Sequence, residues 1–383
     1  MIYLDNNAST KVDPEVRAAV AEALELFGNP SSIHAEGRRA RRAVEEAREQ
    51  LARLMGARPE EIFFTSGGTE ANAMAIFGAA AAGASRKIVR TGAEHPSVRE
   101  SCGRAARELG LEEAVVDPEP SGSLDPRAFS AALEGGARLA SAMLANNEYG
   151  GVFPVEQIAA AAREAGAIVH TDAVQAAGRI PVDVVRLGVD LLSLSAHKMH
   201  GPKGIGALYV RRGVALEPRT PGGGQERRMR AGTENTAGIV GFGVAARLAR
   251  ERLSADAQAV ARLRDRLERS VLEGAGGARV VGAGAPRLPN TSAILFQGIS
   301  GDALAIRLDL EGIAVSVGSA CSSGTPAPSP ALLALGLDRG EARRVVRLSL
   351  SRWTTEEEVD EASRRIAGAV LAMRAAAAAP ALV

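Results

Sequence analysis

Between Glu36 and Ser195, short apolar runs alternate with helical stretches, and the runs are bounded by Gly, Pro or Asp. The runs are Glu61–Thr65, Lys87–Thr91, Leu139–Ala145, Ala167–Thr171 and Asp190–Ser195. They have the length and apolar character of strands covered on both faces. Residues Glu36–Met55 set Ala40, Ala43, Val44, Ala47, Leu51, Leu54 and Met55 on one stripe closed by Gly56, and Val155–Ala165 reads as a second helix. Strand, loop and helix repeated in this way predict an α/β domain with a mostly parallel sheet.

The pattern changes after about residue 245. Gly241–Leu272 reads as a long helix, followed by strand-like pieces at Thr291–Phe296, Ile313–Ser316 and Val345–Leu350 and a last helix from Thr355 to about Ala376. The expected division is a large domain over residues 15–250 and a small α/β domain built from residues 1–14 with 251–383, with Ala375–Val383 as a frayed tail. A chain of 383 residues that is 46% hydrophobic has the material for two cores. Its net charge of +1 gives no ground for binding nucleic acid or an anionic membrane. Arg38, Arg39, Arg41 and Arg42 are followed by Glu45, Glu46 and Glu49, as on a solvated helix face. Only two cysteines, Cys102 and Cys321, argue against a disulfide framework and against a cysteine-based zinc site. With no secretory signal and no apolar stretch of bilayer length, a reducing cytoplasm is the expected compartment.

In open α/β sheets, ligands bind beyond the carboxyl ends of the strands. All five runs deliver polar residues there: Ser66 to Glu70, then Gly92 to His95, then Asn146, Asn147 and Glu148, then Asp172 and Gln175, then His197 and Lys198. Ser66-Gly67-Gly68-Thr69-Glu70 opens a helix from Thr69 to about Gly78, where glycines and free N–H groups make either an anion cradle or a plain turn with a helix cap. Lys198 follows an apolar strand, where desolvation favours a neutral, nucleophilic amine. Asp172 closes the preceding strand, and a carboxylate there suits a pyridinium nitrogen. Lysine, aspartate and phosphate cradle together describe a site for pyridoxal 5'-phosphate (PLP). His170 reads as a core histidine, Cys102 as a packed small residue, and His34 and His200 as structural. His197 and His200 lack a third ligand, so no metal is expected.

These segments resemble the cysteine desulfurases of the NifS/IscS-like group, which are fold-type I PLP enzymes of the aminotransferase class V superfamily. The resemblance is carried by Tyr3 to Ala8, Gly28 to Ser32, Phe64 to Glu70, Glu94-His95, Asn146 to Glu148, Thr171 to Gln175 and Ser195 to Lys198. It continues through Gly222 to Glu226, Arg230 to Asn235, Gly318 to Cys321 and Arg347 to Leu350. It implies a large domain with a seven-stranded-type, mostly parallel sheet plus a smaller α/β domain. By the same resemblance Lys198 forms the Schiff base with the cofactor and Asp172 meets the ring nitrogen. Gln175 and Asn147 lie on the ring hydroxyl side, and His95 stacks on the ring and moves protons. Gly68, Thr69, Ser195 and His197 hold the phosphate, joined by Thr233 from the partner of a homodimer. Arg347 binds the substrate carboxylate, and Cys321, in a Gly/Ser/Pro-rich segment, takes the sulfur as a persulfide.

The activity so implied is removal of sulfur from L-cysteine, leaving L-alanine. The acceptor would be an iron–sulfur scaffold or a tRNA-thiolation enzyme, with no nucleic acid or membrane as a direct partner. Housekeeping members carry a longer polar C-terminal segment, so the acceptor stays open. The alternatives are a selenocysteine lyase, another class V aminotransferase-like enzyme, or a silent scaffold, which the presence of Lys198, Asp172, His95 and Cys321 disfavours.

Overall fold

The computed structural model describes residues 1–82, 85–317 and 327–378. Among the described residues thirteen strands form three sheets. In chain order the strands are β1 (Ile2–Tyr3), β2 (Ile62–Thr65), β3 (Lys87–Thr91), β4 (Glu112–Val116), β5 (Leu139–Ser141), β6 (Ile168–Asp172) and β7 (Leu191–Ser195). Then come β8 (Gly206–Val210), β9 (Ala278–Val280), β10 (Thr291–Phe296), β11 (Ile313–Ala314), β12 (Ser316–Val317) and β13 (Val345–Ser349). The first four helices are α1 (Pro14–Ala23), α2 (Ala35–Met55), α3 (Gly68–Ala82) and α4 (Pro96–Leu109). Among the described residues no helix is long and apolar enough to cross a membrane.

The main sheet has seven strands in the order β2-β8-β7-β6-β5-β3-β4. All its pairs are parallel except those made by β8, which runs against both β2 and β7. Successive residues of a strand face opposite layers. Phe63, Ile88, Leu139 and Leu191 pack with Ile76 of α3 and Val98 of α4. Their neighbours Phe64, Val89, Ala140 and Leu192 pack with Leu51 of α2 and with Phe129, Ile158 and Phe242. The continuous apolar character of the runs is therefore the signature of two covered faces.

A separate core gathers Leu4, Leu267, Phe296, Leu304, Leu348 and Ile366 around the four-stranded antiparallel sheet β12-β13-β10-β9. The long helix Thr236–Ala275 feeds both cores: Phe242 and Ala245 join the first, Val260 and Leu267 the second. Residues 5–10 run between the two. Asn6 N–H donates to Ser349 O on β13, and Thr10 N–H donates to His197 O beyond β7.

Most predicted elements are found, with shifted ends. Gly56 caps α2 at φ 66°, the left-handed turn that the stripe's end required. Three expectations need correction. Leu139–Ala145 is a strand only to Ser141, after which the chain still donates to β6 carbonyls but turns to bring Asn146 and Asn147 to the sheet edge. Four strands went unpredicted: β1 and β9 are very short, β4 is an edge strand carrying Glu112 and Glu113, and β8 lies in a glycine-rich stretch. The last helix runs Glu356–Ala378, so Ala375–Ala378 belong to it and are not a tail.

Candidate active site

The loops after β2, β3, β5, β6 and β7 open on one edge of the main sheet and line a cavity of about 400 Å3. Gly68 and Thr69 come from the first loop, His95 from the second, Asn147 from the third. Asp172 and Gln175 come from the fourth, and Ser195, His197 and Lys198 from the fifth. Arg347 enters from β13, across the boundary between the cores. These predicted residues are thus brought together. Thr233 is not among them: it lies exposed on the segment before the long helix. Cys321 falls in 318–326, outside the described residues.

Lys198 follows β7 in a short 3-10 turn that ends the strand. Its Nζ donates to Asn7 O (2.6 Å) and Ala8 O (2.7 Å), both on the N-terminal segment. Burial, then the charges of Arg179 and Arg347, push its pKa down to about 7, against the opposing pull of Asp172 and Asp5. The amine is therefore substantially neutral near neutral pH, as a nucleophile must be.

Asp172 is buried at the end of β6. Its Oδ1 accepts Val174 N–H (2.9 Å) and its Oδ2 accepts Asn72 Nδ2–H (2.7 Å). His170, two residues earlier, is a core residue between Ser141 and Ser193, and burial holds it down to about 4. Gln175 Nε2–H donates to Asn7 O, while its Oε1 accepts from Arg179. An arginine only donates, so Arg179 fixes which end of that amide is which.

The Ser66-Gly67-Gly68 loop crosses from β2 into α3, whose first N–H groups have no partner in the helix. A Cβ on Gly68 would lie 2.8 Å from Val174 Cγ2, so the close approach of this turn to the β6 loop depends on glycine. Glu70 Oε2 accepts Ser66 N–H and its carboxylate pairs with Arg230, so the turn is held from its helix side.

Arg347 is 7% exposed. It donates to Asn147 O (2.9 Å) and pairs with Asp5 (2.7 Å), and its Nε has no partner among the described residues. Arg347 lines the cavity, and a guanidinium held there is equipped to grip a carboxylate. Glu94, beside His95, is buried and pushed up to about 8 by desolvation and the charge of Asp172, while Oε1 holds Thr91 and the Met143 N–H.

Sequence reasoning missed Asn72, Ser97 and Arg179, and gave Asp5 and Asn7 no individual role. Asn72 and Ser97 are neutral side chains inside helices, where nothing in the sequence separates them from ordinary polar residues. Arg179 follows Gly178 after the Asp172 loop, and only its burial without a carboxylate partner marks it. Among the described residues no cluster of His, Cys, Asp and Glu is arranged to hold a metal ion.

An open α/β sheet with a lysine, an aspartate and a helix N-terminus at its carboxyl edge is the layout of a fold-type I PLP enzyme. Residues 2–362 match the aminotransferase class-V family. A cysteine desulfurase of Cereibacter sphaeroides is 48% identical over 94% of this chain and 93% of its own length. A solved NifS-like protein superposes with a TM-score of 0.90 at 36% identity, covering 97% of this chain and 99% of its own. A solved structure of SspA in complex with cysteine gives a TM-score of 0.81 at 34% identity, over 93% and 100% of the two chains. The chain belongs to the aminotransferase class-V family of PLP enzymes, in its NifS/IscS-like branch.

Proposed function

We propose that this chain is a cysteine desulfurase, converting L-cysteine and the Cys321 thiol into L-alanine and a Cys321 persulfide. The observation that carries the proposal is one cavity lined by a near-neutral Lys198, a buried Asp172 and a buried Arg347.

The residues fit PLP. Lys198 supplies the amine for its aldehyde, and the glycine-dependent turn into α3 makes a cradle for its phosphate. Gly68, Thr69, Ser195 and His197 hold that phosphate, and Asp172 holds the ring nitrogen. Gln175 and Asn147 sit on the ring hydroxyl side. When bound, the cofactor supplies an electron sink that labilises bonds at and beside the amino acid Cα. Arg347 orients the substrate by its carboxylate, and Lys198, once free, is placed to take the α-proton. His95, which lines the same cavity, would face the ring and exchange protons with the substrate side. Cys321 as thiolate takes the sulfur and hands it to an acceptor protein of the iron–sulfur scaffold or tRNA-thiolation type.

The reading includes a cytoplasmic homodimer in which Thr233 of each subunit reaches the other's phosphate, a role its exposure suits. It also includes the division into residues 15–250 and residues 1–14 with 251–383, supported by Leu4 packing with Val260, Leu348 and Val370.

The test is the absorbance of the purified protein with PLP, then alanine and sulfide release from L-cysteine with a reductant. Lys198→Ala is expected to lose the yellow band and all activity; a yellow, active variant overturns the assignment. Cys321→Ala is expected to stay yellow and lose sulfur release. A yellow wild-type protein that forms no alanine would keep the cofactor and reject the substrate.

A further inference from the structure

Asn72 is 1% exposed on α3, between two residues assigned above. Its Nδ2 donates to Asp172 Oδ2 (2.7 Å) and to Ser97 Oγ (2.9 Å), which uses both hydrogens of the amide. The opposite orientation would set Asn72 Oδ1 against the carboxylate, acceptor facing acceptor, so the amide has one arrangement. Ser97 Oγ, already accepting from Asn72, has its single hydrogen left for His95 Nδ1 at 2.7 Å. The Ser97 backbone N–H points at the same ring nitrogen from 3.1 Å.

That second donor follows from local sequence. His95 is the N-cap of α4 and Pro96 its first residue, so the Ser97 N–H is an orphan that the cap side chain must satisfy. With two donors on Nδ1, the proton of the neutral imidazole belongs on Nε2. The ring lines the cavity, and Nε2 makes no hydrogen bond among the described residues.

We propose that Asn72 and Ser97 are positioning residues that tie Asp172 to His95 and hold His95 in the Nε2–H tautomer, so that the resting ring presents a proton, not a lone pair, to cofactor and substrate. The last clause rests on the cofactor reading of the cavity; the tautomer does not. Charge around the ring acts in both directions. Asp172 favours a second proton on His95, whereas Lys198 and Arg99 oppose it, and burial outweighs each of them to keep the ring's pKa below the usual histidine value. A proton added at Nδ1 would also confront the Ser97 N–H.

The test is side-chain NMR of the full chain selectively labelled with 15N-histidine, recorded without and with PLP. His95→Gln identifies the His95 signals among the five histidines. The expected result is a pyridine-like Nδ1 and a pyrrole-like Nε2. Ser97→Ala should mix the tautomers and move the His95 titration midpoint upward, and Ser97→Thr, which keeps the hydroxyl, should restore both. A protonated Nδ1 in the unsubstituted chain overturns the proposal without any variant having to fold. A Ser97→Ala spectrum and titration identical to wild type overturn the role of Ser97. Failure to take up PLP would strike the cofactor reading alone, since the tautomer is read on the cofactor-free chain.

Discussion

Lys198 shows how much of a functional residue is made by neighbours far away in sequence. Its position after an apolar strand was enough to expect a pKa lowered by burial, and the fold adds to that the charges of Arg179 and Arg347. A lysine amine attacks an aldehyde only when unprotonated, so PLP uptake by the cofactor-free chain should quicken as pH rises, half-maximal near pH 7. Arg179→Gln removes one positive neighbour and should shift that midpoint to higher pH, measured by stopped-flow absorbance. The same substitution frees the Gln175 amide to turn, so binding of PLP should weaken even where Lys198 is deprotonated. Lys198, Asp172 and the string of glycines before α3 were legible in the chain. Asn72 and Ser97 were not, because an amide or hydroxyl on a helix gains its meaning only from what the fold sets opposite.

At the scale of elements, the segment Gln225–Arg228 carries the clearest conformational tension. Glu226, Arg227 and Arg228 all have positive φ, a region that costs residues with a Cβ. Buried Glu226 secures the turn: it makes a two-pronged pair with Arg48 on α2 and accepts the Phe64 N–H of β2. Breaking such a pair strands a buried charge, which costs about 3–5 kcal/mol. Arg48→Met should therefore lower unfolding stability in urea by about that amount, while Glu226→Gln, which keeps an acceptor for Phe64, should cost less. A salt bridge between residues so distant in the chain leaves no local trace in the sequence. Strand β8 escaped notice for a related reason. Its neighbours in the sheet are β2 and β7, and the Gly206 backbone packs against Gly67 of the turn before α3, so a residue that looks like a strand breaker is a requirement of close packing.

At the scale of the molecule, the alternating pattern made the main sheet and its ligand-bearing edge legible from the start. The joining of the cores was not. It depends on Asn7, whose side chain donates to Asn147 O and Thr291 Oγ1 and accepts from Asn290, while its carbonyl receives Lys198 and Gln175. Asn7→Ala leaves the carbonyl in place and removes the bonds that cross between cores. It should cost about 1–3 kcal/mol in urea unfolding and raise KM for L-cysteine, because Asn147 O also receives Arg347. A wild-type KM in this variant would show that the two cores keep their registration by other means.

Residues 5–10 and residues 345–349 meet at the cavity, so the site is closed by segments synthesised far apart in time. A domain that folds as it emerges from the ribosome can form most of the main sheet early. Yet the carbonyls that receive Lys198 are steadied through Ser349, and Arg347 arrives only with that strand. A half-synthesised chain can thus shape a pocket without being able to seat an amino acid in it, and chemistry that liberates sulfur waits until β13 has left the exit tunnel.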